Sequence, residues 1–89
     1  MPKPPTYSIR EQEVLDKVDY YKIRVFQHKT GWVESIPFSA FEALPRIRKI
    51  HDMGYRACLY AVRKFEDGEH LASVTPAFLS ALVEVGHGT

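Results

Sequence analysis

Between Asp19 and His28 apolar and polar side chains alternate one by one. Tyr21, Ile23 and Val25 fall on one face and Lys22, Arg24 and His28 on the other, the period of a half-buried strand. Lys29-Thr30-Gly31 then supplies a glycine able to take positive φ, and alternation resumes through Trp32, Glu34, Ile36 and Phe38. The two runs predict an antiparallel hairpin, with Trp32, Ile36 and Phe38 turned toward the core and Trp32 largely buried. Pro37 has no amide hydrogen for a ladder, which puts the end of this strand at an edge or beyond the pairing.

The period then lengthens. Phe41, Leu44, Ile47 and Ile50 recur at threes and fours behind Ser39-Ala40-Phe41-Glu42, a capping box, and ahead of Gly54. That pattern predicts a helix whose C-terminal glycine is left-handed. Pro45 lies too deep for the first turn and costs about 3 kcal/mol inside a regular helix, so a kink, or a short turn before a helix restarting at Pro45, is expected. A second capping box, Ser8 to Glu11, predicts a short N-terminal helix reaching Lys17 or Val18.

Tyr55 to Phe65 reads as a long strand, Asp67-Gly68 as a hairpin turn, and Leu71 to Val74 as a shorter returning strand. The facing of the long strand stays open, because Cys58, Tyr60 and Val62 suit a core as well as Ala57, Leu59 and Ala61 do. Thr75-Pro76 then opens a last helix with the stripe Phe78, Leu79, Leu82 and Val83, closed by Gly86. Residues 19–54 and 55–86 share one order of parts, ββα twice. The expected fold is α+β in two layers: a four-stranded antiparallel sheet from two β-hairpins, helices on one face, and the short N-terminal helix before them. Residues 1–7, rich in proline, read as an N-terminal arm, residues 8–86 as a single domain and residues 87–89 as a loose tail.

Composition narrows the class. The 89 residues suit one core, and 45% hydrophobic with 26% charged residues is ordinary globular usage. One cysteine, Cys58, allows no internal disulfide, and no apolar run is long enough to span a bilayer, so no membrane role and a reducing, cytoplasmic setting are expected. The net charge of +1 hides an asymmetry: nine basic and three acidic residues lie between Tyr20 and Lys64, whereas four acids and no Lys or Arg follow from Phe65 onward. Gathered on one surface, the basic middle would favour an anionic partner.

Candidate chemistry is sparse. The four histidines stand singly without metal-ligand spacing, Cys58 sits mid-strand like an inert buried thiol, and every glycine is isolated. Neither catalytic residues, nor a metal site, nor a cofactor is expected. The binding candidates are Lys22, Arg24, Phe26 and His28 on the first strand with Arg56 near the third, and Arg46 and Lys49 on the central helix. The strand group ranks first because it joins charge to an aromatic anchor. Two function classes follow. One is a non-enzymatic protein-interaction module, such as an accessory or inhibitor protein, of the kind phages and plasmids carry, docking on a larger, nucleic-acid-handling complex. The other is direct nucleic-acid binding through a basic and aromatic sheet face. A free edge strand also offers a route to a homodimer.

Overall fold

The computed structural model describes residues 7–86, so the expected arm up to Thr6 and the tail at 87–89 lie outside the described residues. The elements follow in the order α1 (Ile9–Asp16), β1 (Tyr20–Gln27), β2 (Gly31–Glu34), α2 (Ala40–Asp52), β3 (Ala57–Phe65), β4 (Gly68–Val74) and α3 (Pro76–Gly86). The four strands form one antiparallel sheet in the order β2-β1-β3-β4, two hairpins joined through their first strands.

Local chemistry sets the helix ends. Ser8 and Ser39 each accept from the amide three residues on and receive the returning glutamate, Glu11 or Glu42, so both capping boxes are complete. Thr75 Oγ1 accepts from the Phe78 amide at the head of α3. At the far end of α2, Gly54 takes φ +85 and its amide donates to the His51 carbonyl. The His51 ring nitrogen Nε2 donates to the Ala57 carbonyl across 3.0 Å, joining the helix end to β3. Of the two expectations at Pro45, the short turn before a restarting helix does not occur: α2 runs through Pro45 as one helix. Pro45 is exposed while Ala43, Leu44 and Ile47 around it are buried, so packing of the apolar face outweighs the local loss.

The core lies between the sheet and the helices: Val14 of α1, Tyr21 and Ile23 of β1, Leu44 and Ile47 of α2, Leu59 and Ala61 of β3, Ala72 and Val74 of β4, and Leu79 of α3. This settles the facing of β3. Its small residues Ala57 and Ala61 turn inward with Leu59, while Cys58, Tyr60 and Val62 face the other way, Cys58 being half-buried on that face rather than sealed in the core. Val62 is fully buried although it points away from the helices, flanked across the ladder by Tyr20 and Leu71.

The second strand overturns one expectation. Trp32 is 50% exposed and stands opposite Phe26, on the face away from the helices. The cause is one extra residue. Ser35 donates to the Ile23 carbonyl, and Phe38 and Tyr21 exchange both backbone bonds, so Ile36 and Pro37 together stand opposite the single Lys22. Such a bulge inverts the parity of the strand: Phe38 points inward as expected, but every residue before the bulge is shifted by one, turning Val33 and Ser35 inward and Trp32 outward.

Candidate binding surface

Among the described residues, no helix packs on the sheet's second face, where β1 presents Tyr20, Lys22, Arg24 and Phe26. The cations there are engaged. Lys22 Nζ lies 3.1 Å from Glu34 and 3.4 Å from Glu69, and Arg24 reaches Glu34 at 4.0 Å while its guanidinium lies 5.0 Å from the Tyr60 ring centre. The bond to Glu34, chiefly, holds the Lys22 ammonium above the usual lysine range. The Tyr20 hydroxyl donates to Glu69, which raises the phenol and lowers the carboxyl. Two carboxylates thus answer the two central cations, and the middle of the face is a closed polar network rather than a free positive field.

The edge of this face beside the β1–β2 turn differs. Phe26 meets Trp32 and His28 edge to face, with ring centres 5.4 and 5.8 Å apart, and the Arg56 guanidinium lies 5.7 Å from its centre. A concavity of about 930 Å³ opens there, lined by Phe26, His28, Met53, Tyr55 and Arg56 among others. Met53 is 61% and Tyr55 51% exposed. Three of the seven nominated residues, Phe26, His28 and Arg56, therefore come together with two apolar neighbours that sequence reasoning missed. Met53 and Tyr55 flank Gly54, past the last apolar position of the helical period. That position was the available signal that they have no place in the core.

Arg46 and Lys49 lie on the helix side, as the two-layer arrangement requires. A second groove, about 340 Å³, runs there between α2 and β2, floored by Val25, Val33, Phe38, Ile50 and Met53 and rimmed by Arg46 and Lys49. Arg46 stacks on Phe38, 4.7 Å from the ring centre, and donates to the Glu42 carbonyl. The two hollows share Val25, Gln27, Ile50 and Met53, so apolar surface continues around the end of the β1–β2 hairpin. Among the described residues, no group of three or more potential ligands is placed to hold a metal ion, and no helix is long and apolar enough to cross a membrane.

Compared with models of protein families, with curated proteins and with solved structures, the chain matches none.

Proposed function

We propose that the chain is a non-enzymatic interaction module that docks on a larger protein through the end of its first hairpin. The observation that carries this reading is the exposed cluster of Trp32, Met53 and Tyr55 around Phe26 and Arg56. Aromatic residues, methionine and arginine are the types enriched where proteins meet, and Trp, Tyr and Arg dominate the energetics of such contacts. Fixed by its neighbours, the Phe26 ring loses little freedom when covered. A small accessory or inhibitor protein acting on a nucleic-acid-handling complex in the reducing cytoplasm accords with this surface and with the single cysteine.

Direct nucleic-acid binding is the second reading. The aromatic rings of Tyr20, Phe26, Trp32 and Tyr60 on the uncovered face favour it, since bases stack on such rings. The pairing of Lys22 and Arg24 with Glu34 and Glu69 weighs against it, because phosphate would have to compete with carboxylates already in place.

The test is recovery of partners on the tagged full chain from its host, with and without nuclease. A protein retained after nuclease, and weakened roughly 30-fold by combining Trp32→Ala with Tyr55→Ala, is the expected result, corresponding to about 2 kcal/mol of anchoring. Recovery of nucleic acid alone, with binding that falls steeply as salt rises, would replace it with the second reading.

A further inference from the structure

The groove beside α2 adjoins a sheet edge that pairs with no other strand among the described residues. In the β1–β2 ladder Ser35 bonds to Ile23, so by the alternation of an antiparallel pair Val33 and Gly31 also spend their backbone groups on β1. The N–H and C=O of Trp32 and Glu34 point the other way, and β2 is the last strand of the sheet on that side. The opposite edge is treated differently: at β4 the Tyr7 hydroxyl donates to the outward Ser73 carbonyl. The bulge and Pro37 end the usable β2 edge after Glu34.

We infer that this edge and the groove together accept a short extended segment of an acidic protein partner as a fifth strand. The inference rests on the protein-interaction reading above and specifies its partner. Strand addition gives hydrogen bonds at Trp32 and Glu34, and the pleat then dictates where the side chains go. In an antiparallel arrangement, the incoming residue opposite Val33 drops to the helix side and meets the apolar floor of Phe38, Ile50 and Met53. The residue two positions away, level with Ser35, lies toward the Arg46 and Lys49 rim, where an Asp or Glu is favoured.

Charge chooses between occupants. A second copy of this chain pairing its own β2 antiparallel about Val33 would set Gly31 level with Ser35 and bring no carboxylate to the Arg46 and Lys49 rim. A partner strand carrying a carboxylate at that position neutralises them. The recognised sequence is therefore short and alternating, with an apolar residue flanked at two positions by an acid, and its outward side chains lie beside Trp32 and Glu34.

The probe is the peptide acetyl-Glu-Thr-Leu-Thr-Val-amide, titrated to millimolar concentration against the full chain while backbone amide resonances are followed. Its leucine is placed opposite Val33 and its glutamate level with Ser35. Saturable shifts at the Trp32 and Glu34 amides are expected. Affinity should fall about tenfold when the peptide glutamate is replaced by lysine, and the preference should reverse in a folded Arg46→Glu, Lys49→Glu variant. N-methylation of both threonine amides should remove binding, a result that contact through side chains alone does not produce. Absence of saturable shifts at Trp32 and Glu34, indifference to N-methylation, or equal binding of the lysine peptide would each overturn the inference. So would a captured protein partner whose affinity is unchanged when Val33→Arg fills the groove, and in that case the interaction reading itself would stand.

Discussion

Replacing Gly54 by alanine isolates a backbone effect from packing. Gly54 joins α2 to β3 at φ +85, and a β-carbon built there meets nothing within 4 Å, so no steric clash contributes. The left-handed conformation costs an L-residue roughly 1–2 kcal/mol. Alanine also restricts the unfolded chain, which returns about 0.4–1 kcal/mol. The net expectation for Gly54→Ala is a loss of about 1 kcal/mol. With a urea dependence of about 1 kcal/mol per molar for a domain of this size, the midpoint should move down by roughly 1 M. D-alanine at the same position, introduced by chemical synthesis, keeps the entropic gain without the strain and should raise the midpoint instead. Equal midpoints for the L- and D-alanine proteins would refute the reasoning, because only a left-handed site distinguishes them.

Other substitutions and conditions probe other parts of the molecule. Ile47→Ala removes a fully buried α2 side chain from the centre of the core and should cost about 2–5 kcal/mol in urea unfolding. Trp32, half exposed on the uncovered face, should emit at the long wavelengths of a wet indole in the native state; a strongly blue-shifted native emission would return it to the core. The Glu69 carboxyl is held low, first by the Tyr20 hydroxyl and then by Lys22, so the folded chain takes up that proton at lower pH than the unfolded chain. Its contribution is present above the ordinary glutamate range and is lost as pH falls through the depressed value, so Glu69→Gln should flatten that part of an acid titration of stability.

Much of the fold was legible because local signals agreed with one another. Both serine capping boxes, the strand period through Tyr21, Ile23 and Val25, and Gly54 after the α2 stripe all sit where the structure uses them. Parity along the second strand was not legible. Trp32, Ile36 and Phe38 fall on one alternation, and nothing in their spacing discloses that Ile36 and Pro37 share one place in the ladder. The inward set of β3 was ambiguous for another reason: both of its faces are apolar enough, and Val62 is buried on the side away from the helices. At the surface, the nominated Lys22 and Arg24 are tied to Glu34 and Glu69, a pairing across strands that sequence separation conceals. The Met53 and Tyr55 exposure depends on where α2 stops relative to the sheet, which is a tertiary property.

The most direct measurement of the docking reading is site-specific photo-crosslinking in the host. A photoreactive phenylalanine analogue in place of Trp32 places the reporter in the exposed cluster, and the same analogue in place of the exposed Arg48 on α2 serves as the comparison. Docking through this cluster should give a discrete protein adduct from position 32 that survives nuclease and is weak or absent from position 48. An adduct to nucleic acid alone, or a protein adduct formed more strongly from position 48, would contradict it.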